Sequence, residues 1–63
     1  MYVIFRQDLF GGRARVTPVM TSVCPVRAKR LARSLEDRTR AGGDRVTEYH
    51  VRAYAADEGA WVP

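Results

Sequence analysis

The sequence is poor in the residues that staple small folds. It has one cysteine, Cys24, and one histidine, His50. A single cysteine excludes an internal disulfide, and one Cys with one His cannot furnish a four-ligand structural zinc site. Lysine is nearly absent, with Lys29 standing against ten arginines. Long apolar runs are missing too. The run from Tyr2 to Phe5 breaks at Arg6, far short of a membrane span or a signal-peptide core. The expectation is a cytoplasmic protein without a membrane segment or a metal. Gly11-Gly12 and Gly42-Gly43 belong to neither of the glycine patterns that cradle phosphate, so they read as turns. No nucleophile, base and orienting group stand together, so no catalytic residue and no cofactor are expected.

What is present suits one small domain. A chain of 63 residues buries only about 60% of its unfolded surface, which leaves it marginal alone. With disulfide and metal excluded, association with a partner or with itself is the remaining support. The formal net charge is +4 and the pI is near 10.0. That balance admits nucleic acid as a partner, although a solvated basic surface is the simpler reading.

The stretch CPVRAKRLARSLEDRTRAGG, Cys24 to Gly43, organises the rest. Pro25 suits a first helical position and Gly42-Gly43 suit a helix end. Ser22 or Cys24 can cap its start, Ser being the better acceptor. At 100° per residue Cys24, Ala28, Leu31, Ala32, Leu35 and Thr39 share one face. Lys29, Arg30, Arg33 and Arg40 share the opposite one and are the candidate nucleic-acid contacts. Glu36 and Asp37 neutralise part of that stripe.

Strands flank the helix. Tyr2 to Arg6 is rich in β-branched and aromatic residues, and Arg13 to Thr17 alternates charged with apolar ones. Pro18 cannot donate to a ladder, which places the second strand at a sheet edge. Arg45 to Ala55 reads as a third strand, with Thr47, Tyr49, Val51 and Ala53 on one face. The expected fold is α+β, a ββαβ domain over residues 1–55 followed by a short tail, 56–63. The crossover rule gives a three-stranded sheet in order 2-1-3, strand 1 central, with the helix on one face. Keeping Arg6 outward selects a core of Val3, Phe5, Ala14, Val16, Met20, Cys24, Ala28, Leu31, Ala32, Leu35, Tyr49, Val51 and Ala53. A one-residue slip would exchange the faces.

That register leaves a second sheet face bearing Tyr2, Ile4, Arg6, Arg13, Arg15, His50, Arg52 and Tyr54. A wet sheet face should be polar, whereas aromatics with arginine are the residues of protein interfaces. These eight residues are the candidate interface, and a homodimer is the expected assembly. Leu9 and Phe10, apolar beside the glycine turn, either fold back or protrude as an anchor for a partner. His50 has no companion for metal or base chemistry, and Cys24 on the apolar helix face reads as a buried thiol.

The run FRQDLFGGRARVTP, followed by the helix and by a strand carrying Tyr49, Val51, Arg52 and Tyr54, resembles small Arg-rich proteins of actinobacteria and their bacteriophages. No defined activity attaches to that group, and it carries over no site residue. The resemblance implies a protein from a GC-rich genome. A phage source would imply a protein that binds a host factor. The function expected is therefore non-enzymatic protein binding. The alternative is nucleic-acid binding through the sheet face or the basic helix face.

Overall fold

The computed structural model describes residues 1–55 and 58–62. The order of elements is β1 (Tyr2–Phe10), β2 (Arg13–Ser22), α1 (Pro25–Ala41), β3 (Glu48–Ala55) and β4 (Ala60–Trp61). The fold is α+β with one helix, but the sheet has four strands, in order β2-β1-β3-β4. Each neighbouring pair is antiparallel. The expected 2-1-3 core is present. The additional strand comes from the segment read as a tail, where Tyr54 opposes Trp61 and Ala55 opposes Ala60. Of that tail, Ala56, Asp57 and Pro63 lie outside the described residues.

The β1–β2 turn follows from its two glycines. Gly11 and Gly12 both take positive φ, 57° and 81°. A two-residue hairpin loop whose twist matches the strands needs that at both central positions. Phe10 and Arg13 close the loop. Counting hydrogen-bonded and open pairs alternately from this turn, Pro18 opposite Phe5 falls on an open pair, so its missing N–H faces the free sheet edge. Immediately after it the register steps. Ile4 opposes Met20 while Phe5 opposes Pro18, so Val19 has no partner across β1. This is a bulge of one residue, and it reverses the alternation of β2 beyond it.

The helix starts at Pro25 with Cys24 at the N-cap, whose side chain makes no capping bond. Ser22 lies two residues earlier and binds the Cys24 backbone instead. Its Oγ accepts from the Cys24 N–H and lies equally near the Cys24 carbonyl, both at 3.2 Å. At the other end, the Gly43 N–H donates to the Arg40 carbonyl (3.0 Å) and the Asp44 N–H to the Thr39 carbonyl (3.2 Å). These are the two bonds of a Schellman motif, and Gly43 takes the φ of 91° that the motif requires,.

The core is small. Among described hydrophobic residues only Val3, Ile4, Ala28 and Ala32 are buried, and Ile4 is 0% exposed. This overturns the expected register of β1. Ile4 is on the helix side of the sheet, where Ala28 and Ala32 are the buried helix residues, and Phe5 is turned to the other face. Pairing places Tyr2, Ile4 and Arg6 with Ala53, Val51 and Tyr49. Tyr49 in turn reaches the helix, its hydroxyl 3.1 Å from Thr39 Oγ1. Arg6 sits at the end of that face, where Asp8 receives its Nε–H at 2.9 Å. The reason for keeping Arg6 outward therefore fails. The β2 choice fails likewise, because Ala14 and Val16 stand opposite Leu9 and Gln7, away from the helix. Met20 is on the helix side but exposed, as is Cys24. Leu31, Leu35, Val51 and Ala53 are half-buried.

A polar knot locks the end of the helix to the sheet. Arg40 Nη1 donates to the carbonyls of Asp44 (3.0 Å) and Thr47 (2.8 Å). Asp44 Oδ1 accepts from the N–H groups of Val46 (2.8 Å) and Thr47 (3.0 Å). The buried Thr47 hydroxyl reaches Asp44 Oδ2 and lies 3.1 Å from Asp8 Oδ1 on β1. Chiefly because Thr47 donates to it, the Asp44 carboxyl is lowered from 3.8 to about 2. The unfolded chain binds that proton more readily than the folded chain. The stabilisation is whole above the unfolded value and is lost as pH falls from about 4 through about 2. Acid denaturation followed by circular dichroism should fall through this window, and Asp44→Asn should flatten it. An unchanged acid limb in Asp44→Asn would show that the knot does not depend on the charge.

Candidate functional site

The sheet has two unlike faces. One carries α1. The other carries Val3, Phe5, Gln7 and Leu9 from β1 and Ala14, Val16, Pro18 and Thr21 from β2. It also carries Glu48, His50, Arg52 and Tyr54 from β3 and Trp61 from β4, by their pairing. Among the described residues no helix lies over this face, although Val3 on it is buried. Its centre is aromatic. Trp61 lies 5.3 Å from Phe5 and 4.9 Å from Tyr54 between ring centroids, both tilted. The Arg52 guanidinium sits 5.3 Å from the Trp61 ring centroid, a cation–π distance. The short β4 therefore has a job: it brings an indole across β3 to the rings on either side. Beside this cluster Phe5, Val16, His50 and Arg52 line a depression of about 230 Å³. That is below the roughly 300–1,000 Å³ of small-molecule sites and suits one inserted side chain.

The eight residues expected to form one interface are divided between the faces. His50, Arg52 and Tyr54 are on the open face. Tyr2, Ile4, Arg6, Arg13 and Arg15 share the helix side of β1 and β2, and Ile4 is inaccessible. Arg6 is held by Asp8, whose hydrogen bond raises the guanidinium above its ordinary value. What joins His50, Arg52 and Tyr54 instead is Phe5, Val16 and Trp61. Of these, the sequence alone puts Phe5 and Val16 in the core and leaves Trp61 of the tail either folded back or protruding as an anchor, like Leu9 and Phe10. The β1–β2 pairing runs to Phe10 and Arg13 while β3 reaches only Gln7. The hairpin thus extends past the sheet as a two-stranded arm. Leu9 and Phe10 protrude from it, 58% and 76% exposed, so they do not fold back into the core.

The basic helix stripe is also divided. Lys29, Arg30 and Arg33 are exposed. Arg40 is committed to the polar knot and lies 3.7 Å from Glu36. Cys24 is exposed rather than buried, and the backbone N–H groups of Arg27 and Val26 lower its thiol from 9.0. His50 Nε2 lies 3.3 Å from Glu48 Oε2 at the surface. Among the described residues no group of three or more His, Cys, Asp or Glu is placed to hold a metal, and no helix is long and apolar enough to cross a membrane. No family model, curated protein or solved structure matches the chain.

Proposed function

We propose that the chain is a non-enzymatic binding protein that acts through protein–protein contact at its open sheet face. The carrying observation is the composition of that face. Phe5, Tyr54 and Trp61 form a connected aromatic cluster with Arg52, and Val16 beside it is 57% exposed. Aromatic side chains and Arg at the centre of a patch are what protein interfaces are enriched in. A sheet face left to water should instead alternate to polar residues. The depression between Phe5, Val16, His50 and Arg52 takes one anchoring side chain, and the arm adds Leu9, exposed on the same side. The resemblance to phage and actinobacterial proteins favours a host protein among unlike partners.

Nucleic acid is the second reading, favoured by the three exposed cations Lys29, Arg30 and Arg33 on one helix face. One experiment separates the two. The chain is used as bait in lysate of its source, with and without nuclease, beside Val16→Glu and Arg30→Glu. Protein binding predicts nuclease-resistant capture that Val16→Glu lowers at least about tenfold, since a charge beside the aromatic cluster must be desolvated. Capture abolished by nuclease and by Arg30→Glu, with Val16→Glu behaving as the parent, would give the function to nucleic acid.

A further inference from the structure

We infer that the open face is self-complementary and that its occupant is a second copy of this chain. The two copies would be related by a two-fold axis that runs between the sheets and crosses the strands at the Phe5–His50 pair. The inference rests on the protein-binding reading and names the partner.

Three observations carry it. The first is area. The chain exposes 4963 Å², whereas a compact monomer of 7.1 kDa exposes about 4,100 Å². The excess is close to the roughly 800 Å² that each partner loses in a standard interface. The molecule is flat, with extents of 38, 25 and 15 Å.

The second is where the charge lies. The net +4 opposes self-association in general. Among the described residues that the pairing places on the open face, however, Asp/Glu and Lys/Arg are represented by Glu48 and Arg52, one of each sign. The helix and the arm carry most of the arginine. Two copies that meet by their open faces meet at their least repulsive surfaces, with both basic helices turned outward.

The third is the spacing along β3. Glu48, His50 and Arg52 point to the same side at successive steps of two, about 6.6 Å apart. A two-fold through His50 and perpendicular to the strands reverses their direction. Glu48 then faces Arg52 of the second copy, and Arg52 faces its Glu48. An axis along the strands would instead oppose Glu48 to Glu48. The same operation keeps each strand over its own counterpart, so Phe5 on the axis meets Phe5 of the second copy. Sheets packed face to face in this way lie about 10 Å apart, and an isologous pair is closed.

The test is molar mass by light scattering over a range of concentrations. It uses the full-length parent, Glu48→Arg, Arg52→Glu and the double reversal, with circular dichroism confirming the fold of each. The parent should approach twice 7.1 kDa. Each single reversal should weaken association about tenfold or more, and the double reversal should restore it. Val16→Glu, which leaves the charge pair intact, should also dissociate the dimer. A parent that stays at the mass of one chain up to about millimolar concentration overturns self-pairing, but the capture experiment with Val16→Glu still decides protein binding. A dimer that the double reversal fails to restore overturns the proposed axis.

Discussion

Ile4→Ala is expected to remove about half of the protein's folding stability. Ile4 is the one large side chain among the described residues that is wholly buried, on the sheet face where the helix buries Ala28 and Ala32. Two alanines cannot close over a cavity there, because neither has atoms beyond Cβ to move into it. Removing the Ile side chain to Cβ in such a site costs about 2–5 kcal/mol. A chain of 63 residues has roughly 3–9 kcal/mol in total. Ile4→Val should cost only about 1 kcal/mol and stay folded. Urea denaturation of the three proteins checks this. An Ile4→Ala midpoint equal to the parent's would show that the helix does not sit on Ile4. Ile4→Glu is for the same reason unsuited to testing an interface, since it would abolish the fold.

The second large effect is expected at Arg40. This residue was grouped with Lys29, Arg30 and Arg33 as a nucleic-acid contact, but its Nη1 spans two carbonyls, those of Asp44 and Thr47. Hydrogen bonds from a charged donor are stronger than neutral ones, and a carbonyl stripped of its donor keeps its desolvation cost. Arg40→Ala should destabilise the chain by about 2–3 kcal/mol and free the 44–47 turn from the helix end. Lys should recover only part, because a single ammonium lacks the planar fork. The check is thermal unfolding, with amide exchange at Val46 and Thr47, whose N–H groups bind Asp44. Unchanged stability together with lost affinity for nucleic acid would return Arg40 to the basic stripe.

How far the sequence could be read depends on which signals are local. Pro25, Gly42-Gly43 and the Ala28–Ala32 spacing define the helix within its own residues, and the helix is found over Pro25–Ala41. The faces of β3 are legible because Tyr49, Val51 and Ala53 alternate with Glu48, His50 and Arg52. β1 is different. Tyr2-Val3-Ile4-Phe5 is apolar at every position, so its register hangs on Arg6 alone. The partner that lets Arg6 lie on the helix side, Asp8, is a neighbour two residues on. The bulge at Val19 is a pairing property of two strands, although Pro18 marks its place. β4 has two residues, too few for any periodicity, yet through Trp61 it completes the aromatic cluster. The expected site therefore kept its β3 third and changed its β1 and β2 residues. Phe5 and Val16 replace Tyr2, Ile4, Arg6, Arg13 and Arg15 because the slip exchanges the faces together.

Covering the open face with a second copy, as proposed, would couple folding to association. A buried core of Val3, Ile4, Ala28 and Ala32 is small for independent stability, and association stabilises a folded state by mass action. The most direct measurement is the melting midpoint of the unmodified chain over about a hundredfold range of concentration, with molar mass recorded at each point. The expected midpoint rises with concentration as the mass moves from one chain to two. A midpoint that stays constant while the chain remains a single folded copy throughout would contradict it.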